Sequence, residues 1–295
     1  MSKLISVVVL SYNHADFIAN TIESINTQNY KNVEIVVVDD GSTDSSVVVL
    51  KELQKKIDFK LVQKNNGGVV SAINLAINVV SGEFTILHSC DDISLSERVT
   101  QQIEVFLKFP DAAFVSSNIN LVNEDGIHQK ELHKRGSLKK ITLDDALLGA
   151  NITSVGCIYR TSCLKKIILN EGYIAEDPQI HFLLLKINSY AIVDHGAPVL
   201  NYYLRSGSLS GTKMPTLLLQ NLELLKEYRQ RKVFKKAYRQ VQVSFLSNLS
   251  ENVKKDAIVY LLKNPVLIKV KGIQRVLVKL CLPSRFHKKF KSGRC

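Results

Sequence analysis

Two apolar periods alternate over residues 1–110. Residues 4–10 and 33–38 are short runs rich in Val and Ile, with the length and composition of strands buried on both faces. Residues 59–63 and 83–88 repeat the pattern more weakly. Between them, apolar residues recur at helical spacing. Phe17, Ile18, Ile22 and Ile25 mark a helix over 16–28, and Ile73, Ala76, Ile77 and Val80 mark one over 69–80. Residues 45–56, with Ser42 or Thr43 placed to cap them, and residues 98–109, closed by Pro110, complete the set. Asn65-Asn66-Gly67-Gly68 and Ser81-Gly82 read as loops. Four β-α units in succession predict an α/β fold with a mostly parallel, doubly wound central sheet.

The alternation then loosens. Residues 113–122 predict one or two strands, 126–140 a polar loop, 143–148 a short helix and 154–159 a strand. Residues 161–168 and 176–187 are helical in pattern, whereas 190–193 and 199–204 are strand-like. Residues 205–211 are rich in Ser and Gly and predict a mobile loop. From residue 216 the pattern is helical and basic, interrupted by Pro265 and Pro283. The expected division is therefore an α/β domain over residues 1–212 and a helical region over 213–295.

Charge sharpens that division. Residues 213–295 hold 20 Lys and Arg against 4 Asp and Glu, whereas the first 212 residues carry a net charge of −4. A mildly acidic body with a strongly basic tail points to a polyanionic partner for the tail, a membrane surface or nucleic acid. The few aromatics and the lack of a recognised module disfavour nucleic acid. Within residues 264–295, nine basic residues and no acid interleave with apolar ones. On a helix Ile273, Val276, Leu277 and Leu280 share one side, which suits an interfacial helix on an anionic leaflet; a basic helix packed on the body is the other reading. No apolar run reaches the about 18 residues that span a bilayer, and the amino terminus does not read as a signal peptide. Five cysteines without a C-x-x-C pair suggest reduced thiols in the cytoplasm.

Candidate chemistry gathers where predicted strands end. Ligands of open α/β sheets bind outside the carboxyl ends of the strands. Ser11-Tyr12-Asn13 follows the first strand, either as an ordinary turn with Asn13 as a cap or as part of a site. Asp39-Asp40 follows the second, where two carboxylates exceed what capping needs and suit ribose hydroxyls or a base N–H. Asp91-Asp92 follows the fourth, and such hard oxygen donors suit Mg²⁺ or Mn²⁺ bridging a diphosphate. Glu176-Asp177 opens a predicted helix, where an acid serves either the helix dipole or proton abstraction from a hydroxyl. Arg205, beside Ser206-Gly207-Ser208, reads as a phosphate clamp or as a solvated surface residue. G-x-G-x-x-G after the first strand and G-x-x-x-x-G-K-[ST] are both missing, which disfavours dinucleotide and P-loop sites.

Taken together, the runs I-S-V-V-V-L-S-Y-N-H, V-E-I-V-V-V-D-D-G-S-T-D, N-N-G-G-V-V-S-A-I-N-L-A-I and G-E-F-T-I-L-H-S-C-D-D resemble family 2 glycosyltransferases with the GT-A fold. The resemblance covers residues 3–125 most strongly and 150–210 more weakly. It implies a nucleotide-sugar donor, a divalent metal and inversion at the anomeric carbon. It assigns Ser11, Tyr12, Asn13, Asp39, Asp40 and Asn74 to the donor nucleotide, with Asp40 on the base. It assigns Asp91, with Asp92, to the metal, although Ser89 stands where the family's D-x-D element has its first carboxylate. Asp177, beside Glu176, takes the place of the general base. Arg205 falls in the closing loop, where many relatives carry a His.

The resulting expectation is an inverting, metal-dependent glycosyltransferase of bacterial surface polysaccharide synthesis. Its acceptor is a hydroxyl of a glycan or lipid-linked molecule. It is expected in the cytoplasm, peripheral on the inner face of the membrane and bound there through its C-terminal region, with no nucleic-acid partner. A non-catalytic nucleotide- or glycan-binding relative and a nucleotidyltransferase remain as alternatives.

Overall fold

The computed structural model describes residues 2–205 and 212–281. The expected 205–211 loop, apart from Arg205, and the last 14 residues of the basic tail lie outside them. The chain divides into two compact units, Met1–Ala146 with Ala150–Arg205, and Leu147–Gly149 with Ser206–Cys295.

The first unit is an α/β body. Strands β1 (Ile5–Ser11), β2 (Val33–Asp39), β3 (Lys60–Gln63) and β4 (Phe84–Ser89) alternate with α1 (Ile18–Asn26), α2 (Ser46–Leu53) and α3 (Val69–Val79). Then come β5 (Ile93–Ser94), α4 (Arg98–Lys108), β6 (Phe114–Ser117), β7 (Asn120–Val122), β8 (His128–Glu131), β9 (Lys139–Ile141) and α5 (Leu143–Leu147). The unit closes with β10 (Cys157–Arg160), α6 (Thr161–Leu164), α7 (Asp177–Ile187), β11 (Ala191–Asp194) and β12 (Leu200–Tyr203). Eight strands form one sheet in the order β3-β2-β1-β4-β10-β6-β11-β9. All of them run in one direction except β10 and β9, which are antiparallel to their neighbours. A second sheet has the order β5-β12-β7-β8.

The β-branched runs behave as their composition dictates. Ile5, Val7 and Val9 of β1 and Ile35 and Val37 of β2 enter one core with Phe84 and Ile86 of β4. Ile18, Ile22 and Ile25 of α1 cover that core, the stripe read from the sequence. The register aligns the carboxyl ends of three strands: Ser11 lies opposite Asp39, and Leu10 opposite Ser89. One edge of the sheet thus carries the loops after β1, β2 and β4.

Three local expectations are corrected. Residues 126–140 are not all loop, because β8 and β9 lie within them. The sequences H-Q-K-E and K-K-I carry the charges that border strands tolerate, and these hide their strand character. Residues 154–156 form a 3₁₀ turn before β10. Helix α2 starts at Ser46, whose amide donates to Asp44 Oδ1 at 2.9 Å, while Ser42 turns back to Asp39. The cap position is therefore Ser45, with Asp44 just before it accepting the first helical amide.

The second unit is helical: α8 (Met214–Lys226), α9 (Phe234–Asn252), α10 (Lys254–Lys263), a 3₁₀ segment (Pro265–Lys269) and α11 (Ile273–Cys281). Its core is formed by Leu246, Ala257, Leu267, Ile273 and Val276. Tyr260, Leu261, Leu277 and Leu280 pack against them, half-buried. The face of α11 expected to meet lipid is therefore this unit's interior. Among the described residues, no helix is long and apolar enough to cross a membrane.

Candidate active site

Both carboxylates after β2 are buried. Asp39 accepts from Ser11 Oγ at 3.1 Å, the Ser42 amide at 2.9 Å and Ser42 Oγ at 2.6 Å. Asp40 accepts from Lys64 Nζ at 2.6 Å and from the amides of Gly67 and Gly68 at 2.9 and 2.7 Å. An ionised carboxylate has about four acceptor sites, so each of these keeps about one. The D-D-G run needs its glycine. Gly41 has φ +74°, and a Cβ there would meet the Asn66 amide at 2.7 Å.

The loop after β1 is laced to the loop after β2. Asn13 adopts a left-handed φ of 55° and accepts the Thr43 amide at 2.7 Å. Its own amide donates to Ser42 Oγ at 2.9 Å. Between these ties Tyr12 stands 43% exposed on the rim, its ring open to a planar ligand.

Asp91 and Asp92 point to different places. Asp91 is a quarter exposed and pairs with Arg205, whose Nε donates to Oδ2 at 3.3 Å. The Arg205 guanidinium lies 3.7 Å from the centre of the Phe17 ring and 5.2 Å from that of Tyr203. Asp92 is buried, and its Oδ1 accepts the Tyr203 amide of β12 at 3.0 Å. Among the described residues its Oδ2 has no hydrogen-bond partner. Burial, then the neighbouring Asp91 charge, pushes the Asp92 carboxyl up to about 8. Behind it Arg98 is fully buried, donating to Ser94 Oγ at 3.2 Å and to the Val155 carbonyl at 2.9 Å.

Among the described residues no group of three or more His, Cys, Asp or Glu could hold a metal. The partly exposed Asp91 carboxylate is a hard oxygen donor of the kind divalent cations take. The Asp92 carboxyl is buried and tied to β12 through Oδ1.

Glu176 and Asp177 reach the same edge through the antiparallel strand. Tyr159 pairs with Thr85 and Arg160 with Phe84, so β10 enters the sheet from the carboxyl end of β4. That brings Ser154, just before β10, to the side of Asp91. Asp177 is hydrogen-bonded by the Ser154 side chain. Burial pushes Asp177 up to about 6, with the Ser154 hydrogen bond working against it. Burial and the facing Asp177 charge push Glu176 up to about 8. Beneath the pair, Tyr159 Oη lies 3.3 Å from His181 Nε2. Burial drives that imidazole down to about 3, so it is neutral at physiological pH.

Asn74 does not open onto this edge. Its Nδ2 donates to the Leu169 carbonyl at 2.9 Å and to Glu171 Oε1 at 3.0 Å, and its Oδ1 accepts the Leu169 amide at 3.1 Å. Both amide protons are spent on the segment leading into α7.

Sequence reasoning missed Lys64, Phe17, Arg98 and Ser154. Lys64 stands one residue beyond β3 and before the N-N-G-G loop, a position at the carboxyl edge that could have singled it out. The other three gave no signal, because their roles arise from pairing across the sheet.

The family model described as "Glycosyl transferase family 2" matches residues 6–168. The chain is 28% identical over 221 residues to an Escherichia coli protein, UDP-Glc:alpha-D-GlcNAc-diphosphoundecaprenol beta-1,3-glucosyltransferase WfgD, covering 74% of this chain and 83% of that one. It is 39% identical over 109 residues to glycosyltransferase GlyG of Streptococcus pneumoniae, covering 35% of this chain and 36% of GlyG, so that match spans about a third of the relative. Residues 1–349 of S. aureus TarS, solved in complex with UDP-GlcNAc, superpose with a TM-score of 0.65 at 21% identity, covering 94% of this chain and 79% of that one. That likeness gives the fold, GT-A.

Proposed function

The chain belongs to glycosyl transferase family 2, and from that premise we propose that it moves a sugar from a nucleotide-diphosphate donor, with inversion, to a hydroxyl of a glycan or lipid-linked acceptor in bacterial surface polysaccharide synthesis. The observation that carries this reading is the Glu176–Asp177 pair, raised by burial and brought by β10 to the edge that carries Asp91. A base is most effective when its pKa lies near the working pH, and burial has moved Asp177 in that direction. The lipid-linked acceptor is supported by the diphosphoundecaprenol substrate in the name of the WfgD relative.

In this mechanism the nucleoside stacks on Tyr12, and Asp39 and Asp40 present their remaining acceptor sites to it. Ser11, Asn13 and Lys64 hold that platform rigid, and Asn74 positions the segment that leads into α7. Asp177 takes the proton from the acceptor hydroxyl, whose oxygen attacks the anomeric carbon opposite the diphosphate. Ser154 holds the Asp177 carboxylate in place. Burial favours a proton on the Glu176–Asp177 pair, so that the two carboxyls do not carry two neighbouring charges. Arg205, fixed flat on Phe17, lies against Asp91 and offers N–H groups to the departing phosphates. Asp91 would hold a Mg²⁺ or Mn²⁺ ion, which would supply charge stabilisation to the leaving diphosphate. Association with the inner membrane surface belongs to the same reading and brings the enzyme to a lipid-linked acceptor.

The test is nucleoside diphosphate release across a panel of nucleotide sugars, with and without Mn²⁺, using a lipid-diphosphate monosaccharide as acceptor. Acceptor-dependent release, with inverted product configuration by NMR, is expected. Pyrophosphate release from a nucleoside triphosphate, or nucleotide binding with no turnover, overturns the proposal.

A further inference from the structure

The apolar face of α11 is spent on packing, yet the same unit leaves another apolar face uncovered. On α10, Ala257, Tyr260 and Leu261 turn into the core of the unit. The other side carries Lys255, Ile258, Val259 and Leu262, spaced i, i+3, i+4 and i+7. All four are exposed, Leu262 by 74% and Ile258 by 47%. The 3₁₀ segment that follows adds Val266 and Ile268, the latter 54% exposed. A helix on the outside of a soluble unit ordinarily keeps this side polar. Helix α11 does so in large part, turning Gln274 and Arg275 outward and burying Ile273 and Val276.

Charge indicates what covers the α10 face. Exposed Lys255, Lys263, Lys269 and Lys271 border the apolar residues, and Asp256 is the only acid from residue 253 to 281. Aliphatic side chains ringed by lysines match a bilayer interface: the chains enter the headgroup–acyl boundary while the ammonium groups reach anionic phosphates.

We propose that the outer face of α10 and the following 3₁₀ segment, Ile258, Val259, Leu262, Val266 and Ile268 with their flanking lysines, form the surface that docks on an anionic lipid bilayer, and that the apolar stripe of α11 does not. The inference deepens the membrane association proposed above and rests on it, but not on the identity of the transferred sugar.

The test is sedimentation of the full-length protein with vesicles of phosphatidylglycerol and phosphatidylcholine, against phosphatidylcholine alone. Donor turnover on a soluble acceptor and thermal unfolding are followed in the same preparations. Binding is expected only to the anionic vesicles, falling as salt is raised. Ile258→Glu with Leu262→Glu should weaken it at least tenfold with turnover and unfolding temperature unchanged. Lys255→Gln with Lys263→Gln should weaken it several-fold. Exposed apolar residues of the α/β unit provide the control, and Leu107→Glu with Ile168→Glu should bind as the wild type does. Undiminished binding by the Ile258/Leu262 variant overturns the assignment of this face while sparing membrane association. No binding by the wild type overturns both, leaving sugar transfer to be judged by turnover. A concentration-dependent dimer lost in the variant, without vesicle binding, identifies the occupant as a second copy and also overturns the proposal.

Discussion

Two pairs of adjacent acidic residues stand at the same edge of the sheet and are packed in opposite ways. Asp39 and Asp40 together accept hydrogen bonds from two serine side chains, a lysine and three backbone amides. Glu176 and Asp177 lie near Tyr159, itself paired with His181, with Ser154 as the side-chain donor to Asp177, and burial drives their proton affinity up. The first pair is scaffold, shaping a loop cluster that a nucleoside can rest on. Burial raises both carboxyls of the second pair, which suits the proton-accepting role proposed for Asp177. Chemical type alone does not distinguish the two pairs; the donors around them do.

That contrast can be broken most sharply by removing one member of each pair. Asp177→Asn should lower kcat by about 10²–10⁴-fold, the range for loss of a general base, with unfolding unchanged or slightly improved. Asp40→Ala should fail in the other sense. It strands Lys64 and two amides, with an expected loss of about 3–5 kcal/mol in denaturant-unfolding stability. If Asp177→Asn unfolds the protein or Asp40→Ala leaves its stability intact, the division into base and scaffold is wrong.

Arg205→Ala should cost about tenfold in kcat/KM, and Arg205→Lys should recover little, because an ammonium cannot lie flat on Phe17 while pairing with Asp91. Full activity of the lysine variant would show that only charge matters there.

A gentler probe is pH. In the role proposed for it Asp177 must be ionised, so kcat/KM should rise with pH through about 6 and level above it. Ser154→Ala removes the hydrogen bond that holds Asp177 down, moving this limb up by roughly half a unit. Stability should run the other way. Groups raised on folding contribute fully below their unfolded values, near 4, and lose that contribution as pH climbs through about 6 and 8. Glu176→Gln should flatten this decline in a pH series of denaturant melts.

The smallest effect is expected at Asn74. Asn74→Ala loses ties to the 169–171 segment, worth about 1 kcal/mol each at most. It should raise the acceptor KM more than the donor KM, whereas a direct donor contact predicts the reverse.

Much of the α/β body can be read from the chain. Strands β1, β2 and β4 lie within a residue of their expected ends, because a strand buried on both faces must be apolar throughout. Asp39, Asp40, Asp91 and Asp92 stand at strand ends for the same reason. Strands β8 and β9 were hidden by charges that border positions permit. The apolar stripe of α11 was correct as a stripe, but periodicity states only that a face is buried and not what buries it.

The sequence by itself determined the buried strands and the helices packed on them, where carboxylates follow strands, and that the C-terminal region is basic. Those are local properties, set by side-chain volume, period and charge. Only the tertiary structure decided the division of labour among the acids. Antiparallel entry of β10 brought Ser154, and with it Asp177, to the Asp91 edge; Lys64 and two glycine amides took most of the acceptor capacity of Asp40; and β12 claimed one oxygen of Asp92. Each outcome depends on which distant groups supply or withhold a hydrogen bond, and partners far apart in the chain are fixed only when the sheet closes.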